Sequence, residues 1–93
     1  MIVRLIMSFV FALLFAGAVQ AGDVEDADSA LLKKDYATAL KKYKAAATQR
    51  NPYAQMQVGN IYYEGLGVAQ DYVEAVRWYK LAAVQGFANA QFN

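Results

Sequence analysis

Chemistry needs nucleophiles, bases or metal ligands, and this sequence offers few. It contains no histidine and no cysteine. That removes the usual general base, the Ser–His and Cys–His pairs, and the common zinc and haem ligands. Ser29 has its nearest downstream lysine on the same stretch at Lys33, four residues on rather than at the Ser-x-x-Lys spacing. Carboxylates cluster only in Asp23, Glu25, Asp26 and Asp28, where solvation is the default expectation. Gly65-x-Gly67 has neither a preceding strand nor a following Lys-Ser/Thr, so it lacks the context of a phosphate loop. No catalytic, metal or cofactor residue is therefore assigned. The lysines at 41, 42 and 44, with Arg50, read as a solvated face.

Binding is the better prospect. Tyr53, Met56, Asn60 and Tyr63 recur at three- and four-residue spacing, with Gln57 beside them. On a helix they share one side. Two aromatic rings, a pliable methionine and two amides suit a peptide or protein segment. These five residues form the candidate groove. The competing reading has them packing on a neighbouring helix.

The elements that position them follow from an internal repeat. Asp35 to Gln57 returns as Asp71 to Asn93, an offset of 36 residues, with ten of 23 positions identical. A period in this range marks stacked supersecondary units. Within each copy, apolar residues recur at helical spacing: Tyr36, Ala39, Leu40, Tyr43, Ala46 and Ala47 in one, Tyr72, Ala75, Val76, Tyr79, Ala82 and Ala83 in the other. Asp35, Asn51 and Asp71 are placed to cap helices. Pro52 stands where a first helical residue has no use for its N–H. Glu74, three residues after Asp71, predicts a capping box. Ala54, Val58, Ile61 and Tyr62 form a further face. Gly59 beside it predicts close approach of another helix, and Gly65 and Gly67 predict left-handed turns. A shorter helix is expected over 24–33, with Ala27, Ala30 and Leu31 inward.

Upstream, Arg4 precedes an apolar 12-residue run, Leu5 to Ala16, and then small residues to Ala21. This is the layout of a secretory signal peptide, cleaved after Ala21 or after Ala18. The run is short of the ~20 apolar residues of a membrane span; a retained anchor is the alternative. Cleavage after Ala21 leaves 72 residues with 8 basic and 8 acidic side chains. A neutral chain makes no electrostatic case for nucleic acid or for an anionic membrane. Without disulfides, its stability must come from packing.

The combination of Gly65-x-Gly67-Val68, Asp71-Tyr72, Trp78-Tyr79, Ala82-Ala83 and Gly86 resembles the Sel1-like repeats, relatives of the tetratricopeptide repeats. The resemblance implies an all-α fold, an α-solenoid of antiparallel helical hairpins. On that reading residues 1–21 are the leader and 22–93 the repeat region: a leading hairpin at 23–50, a full repeat at 51–86 and a partial one at 87–93. Together with the leader, it implies a non-catalytic scaffold or adaptor of the cell envelope, periplasmic or secreted, that binds a protein or peptide. Self-association through the C-terminal end of the array is a further expectation. The rival readings are a remnant or fragment of a longer array, and a cell-envelope hydrolase, which this chemistry does not favour.

Overall fold

A computed structural model describes residues 22–86. The expected leader and the partial repeat at 87–93 lie outside them. Among the described residues there are four helices and no strand: α1 Asp23–Leu32, α2 Tyr36–Thr48, α3 Pro52–Glu64 and α4 Tyr72–Val84. The chief packing pairs are α1 with α2, α2 with α3, and α3 with α4. The order in space follows the order in sequence, as stacked hairpins require.

α2, α3 and α4 start where the sequence says, and α1 runs one residue earlier than the expected 24–33, with no side-chain cap at Gly22. Asp35 accepts the Thr38 N–H at 3.3 Å, Asn51 that of Ala54 at 2.9 Å, and Asp71 that of Glu74 at 3.0 Å. Each cap occupies one of the four N–H groups that a helix start leaves without an intrahelical partner. The capping box is not completed. The Glu74 carboxylate turns instead to the Arg77 guanidinium at 3.0 Å and the Trp78 indole N–H at 3.1 Å. The Asp71 N–H is already donated to the Tyr62 carbonyl, at 2.9 Å, so Glu74 is released for other partners.

The helix ends share one device. Lys34 and Asp35 return their N–H groups to the carbonyls of Leu31 and Ala30; Arg50 and Asn51 do the same to Ala47 and Ala46. This double bond closes a helix through a residue in the left-handed region. Lys34 and Arg50 accordingly sit at φ 62° and 69°, and Gly65 serves after α3 at φ 69°. The next residue, Asp35 or Asn51, at once caps the following helix. Three-residue links therefore reverse the chain. The antiparallel course of α3 and α4 is visible in their cross-pairs, Gln55 with Gln85 and Asn60 with Tyr79.

The core is built of alanines and a few large side chains. Ala27, Ala39, Ala46, Ala54, Ala75 and Ala82 are fully buried, and Tyr43, Ile61 and Val58 are the bulkiest side chains buried completely. Small residues let backbones approach; one buried tyrosine then fills the space between three helices with a large apolar payload. Gly59 does what its place in the sequence implied. A Cβ there would lie 2.5 Å from a ring carbon of Tyr79. Gly67, at φ 70°, has the same relation to Tyr36, with a Cβ-to-Cβ distance of 2.7 Å.

Two expected core positions are not in the core. Tyr72 is 54% exposed and Val76 42% exposed. Their counterparts on α2, Tyr36 and Leu40, are half-buried because α3 and its loop cover them. Among the described residues nothing covers α4 in the same way. Gln55 is the opposite surprise. It is buried, donating to the Ala47 carbonyl at 3.2 Å and accepting from Gln85 at 2.9 Å, so it ties α3 to the C-terminal ends of both neighbours.

Candidate partner-binding face

The five groove residues lie along one side of α3, between α1 and α4. Four of them are half-buried and Tyr63 is exposed. Tyr53 packs against the first core cluster, its ring edge-on to Tyr43 at 6.3 Å between centroids. Met56 packs against Ala75, Tyr79 and Ala82. Tyr63 faces the Tyr72 ring at 5.0 Å.

A hydrogen-bonded chain links the polar members. The Tyr79 hydroxyl donates to Asn60 Oδ1. The Asn60 amide donates to Gln57 Oε1 at 3.1 Å, and the Gln57 amide to the Tyr53 hydroxyl at 2.8 Å. Tyr53 then donates to Asp28 Oδ1 at 2.9 Å, and the same carboxylate oxygen accepts from Tyr43. One connected seam thus crosses all four helices. Every link uses a complementary donor and acceptor, and among the described residues no buried side-chain polar atom lacks a partner. The seam fixes the rotamers of Tyr53, Gln57 and Asn60 while leaving part of each side chain to solvent.

Asp28 was expected to be solvated with its acidic neighbours, and it is not. It is the node where α1, α2 and α3 meet. The repeat carries half of the signal, because it aligns the two donors but not their acceptors, which lie 32 residues apart. Tyr43 and Tyr79 are repeat partners 36 residues apart, and each donates its hydroxyl to an Asx side chain on the helix before it. Asp28 is to Tyr43 what Asn60 is to Tyr79. The other acidic residues behave more nearly as expected: Asp23 and Asp26 flank Lys42 at 3.7 and 3.6 Å. Exposed pairs of this kind contribute little, of order 0–1 kcal/mol. Lys44 lies 5.3 Å from the centre of the Tyr62 ring, a cation–π contact rather than a solvated charge.

Burial, then the hydrogen bond to Asp28, pushes the Tyr43 hydroxyl well above the ordinary tyrosine range. Burial, then the charge of Glu64, pushes Tyr79 up in the same sense. Both seam hydroxyls therefore stay protonated and remain donors at neutral pH. None of these groups is poised for acid–base work. Among the described residues no cluster of three potential metal ligands occurs, and no helix is long and apolar enough to cross a membrane.

The glycine loop, the capped hairpin and the Trp-Tyr helix agree with one known pattern. Residues 52–87 match the Sel1 repeat. The match spans α3, its glycine loop and α4, the hairpin that carries the candidate face. The chain is also similar to protein sel-1 homolog 2 of Rattus norvegicus, 37% identical over 62 residues. That alignment covers 66% of this chain and 9% of the relative, so the chain spans about a tenth of that protein. No solved structure matches. Sel1 repeats are generally protein–protein interaction modules, and the family is typically non-catalytic.

Proposed function

We propose that this chain is a non-catalytic interaction module of the cell envelope, exported and cleaved near Ala21, which binds a segment of a partner protein along α3. One observation carries the reading. Tyr53, Gln57 and Asn60 are held in place by the seam, and Met56 and Tyr63 extend the same side of the helix. A surface already ordered before binding loses less side-chain entropy when a partner arrives. Aromatic rings and a methionine contribute apolar contact; the remaining N–H groups of Gln57 and Asn60 offer hydrogen bonds to a peptide backbone. The absence of histidine and cysteine, together with the fully paired polar seam, leaves no group assigned to chemistry.

The test is capture of a partner from an envelope-protein extract, followed by titration of the recovered partner against the Gln57→Ala/Tyr63→Ala double variant. Circular dichroism checks that the variant stays helical. The expected result is at least a tenfold loss of affinity. Unchanged affinity in a folded variant removes α3 as the binding face. Export is tested separately by the mass of the chain recovered from its source cell, which is expected to begin at Gly22.

A further inference from the structure

The seam across α3 has a direction, and one end sets it. A carboxylate only accepts, and a tyrosine has a single proton to give. Tyr53 spends that proton on Asp28 Oδ1, at 2.9 Å. Its oxygen can then only accept, so Gln57 turns its amide nitrogen to it, at 2.8 Å. Gln57 Oε1 is left facing Asn60, which answers with its own nitrogen, at 3.1 Å. Asn60 Oδ1 in turn faces the Tyr79 hydroxyl, which donates to it.

Each link forces the next. Turning either amide over alone sets two acceptors face to face, an arrangement that a half-buried network does not tolerate. Reversing the whole row needs the Tyr53 proton for Gln57 and leaves oxygen against oxygen at Asp28. The anchor is itself held from the core: the Asp28 oxygen that takes Tyr53 also takes the hydroxyl of Tyr43, whose side chain is completely buried. The groups at the other end of this control are half-buried and reach solvent. A partner on this side of α3 thus meets Tyr53 as an acceptor, its proton already given inward. The second N–H of Gln57 and the second N–H of Asn60, three residues apart and within one turn, are what this row offers to a carbonyl.

We propose that Asp28 is a positioning residue of the partner-binding face: from α1, through Tyr53, it dictates which way the Gln57 and Asn60 amides point and so makes them the donors that receive a partner's carbonyl groups. The inference rests on the reading of α3 as the partner face, yet the direction of the row is a property of the free chain and is measured without a partner. Its failure is therefore separate from a failure of α3 to bind.

The experiment is NMR of the side-chain amides in the full chain. In the parent, the Gln57 amide protons are expected to show a nuclear Overhauser contact to the Tyr53 ring, and the Gln57 and Asn60 amide protons to exchange slowly with water. Tyr53→Phe cuts the row from Asp28 while leaving Asp28 joined to Tyr43; it is expected to abolish the contact and the slow exchange of both amides. Tyr43→Phe leaves Asp28 joined to Tyr53 and is expected to keep both. Asp28→Ala loses the pattern. Asp28→Asn restores it, because an amide oxygen can accept there as Asn60 Oδ1 accepts from Tyr79. A matching far-ultraviolet spectrum verifies that each variant is folded, and the two phenylalanine variants decide the matter even where Asp28→Ala unfolds. Equal disturbance of the amides by Tyr43→Phe and Tyr53→Phe makes Asp28 a support of the core alone and overturns the proposal. So does an unaltered amide pattern in Tyr53→Phe, or a failure of Asp28→Asn to restore what Asp28→Ala loses.

Discussion

Replacing Gly59 with alanine sets two opposed effects against each other. In an isolated helix the change stabilises, by about 1 kcal/mol, because glycine carries more backbone freedom into the unfolded state. In this fold the added methyl meets two ring carbons of Tyr79 at 2.5 and 2.6 Å, far inside contact distance. The ring cannot swing aside cheaply. Its hydroxyl is held by Asn60, and a bond of that kind is worth about 0.5–1.5 kcal/mol net. Overpacking in a tight core costs about 1–3 kcal/mol. The two costs act together against the helix gain, so Gly59→Ala is expected to destabilise by about 0.5–3.5 kcal/mol. In a domain of this size that lowers Tm by several degrees, roughly 4–8 °C per kcal/mol. Urea unfolding followed by circular dichroism gives the number. A double-mutant cycle with Tyr79→Phe supplies the mechanism: without its hydroxyl the ring is free to shift, and the cost of Gly59→Ala falls by about 0.5–1.5 kcal/mol. A Gly59→Ala variant more stable than the parent would falsify the close approach of α3 and α4 at this point.

Asp28→Ala strands the buried Tyr43 hydroxyl and unties Tyr53, at a cost of about 1–3 kcal/mol in urea unfolding; Ser29→Ala next to it is expected to change little. Above pH 10, stability should fall by up to about 1.4 kcal/mol per pH unit for Tyr43, with Tyr79 adding to the decline in the same direction until the native hydroxyls themselves titrate. The unfolded chain loses those protons at the ordinary tyrosine value, while the native state retains them. The stabilisation is thus present below pH 10 and lost as pH rises, and Tyr43→Phe should make the decline shallower. Arg50→Gly should leave the fold unchanged and raise stability by up to about 1 kcal/mol, because Arg50 occupies the left-handed region that Gly86 occupies one repeat later. A loss of stability on that change, measured by thermal unfolding, contradicts the strain argument.

Where a residue's role is local, the sequence discloses it. Asp35, Asn51 and Asp71 cap helices because a short acceptor before an apolar period has few other uses, and Gly65 and Gly67 bend the chain where side chains resist bending. The stripe of α2 was legible for the same reason. The stripe of α4 was legible in type but not in outcome, because periodicity says which residues share a side and not what lies against that side. Glu74 illustrates the limit within three residues. Its spacing from Asp71 fits a capping box, yet Arg77 and Trp78, one turn on, compete for the same carboxylate and win it.

The candidate face was legible as a set of residues on one side of α3, and illegible as a network. Tyr53, Gln57 and Asn60 read from spacing as a surface open to a partner. The structure makes them a seam that runs from Tyr43 through Asp28 to Tyr79 and joins residues up to 51 positions apart on different helices. Neither pairwise spacing nor the 36-residue offset of the repeat finds such a chain. Superposing the two tyrosines, Tyr43 on Tyr79, sets Asp28 on Glu64 and Asn60 on Val24; Asp28 becomes the counterpart of Asn60 only in the fold, because the link after α3 is four residues longer than the link after α1. The same superposition sets Tyr36, Leu40 and Lys44 beside Tyr72, Val76 and Lys80. In a repeat protein the strongest evidence for what a surface does is the fate of its own copy, because the copy fixes how much of that surface ordinary stacking explains.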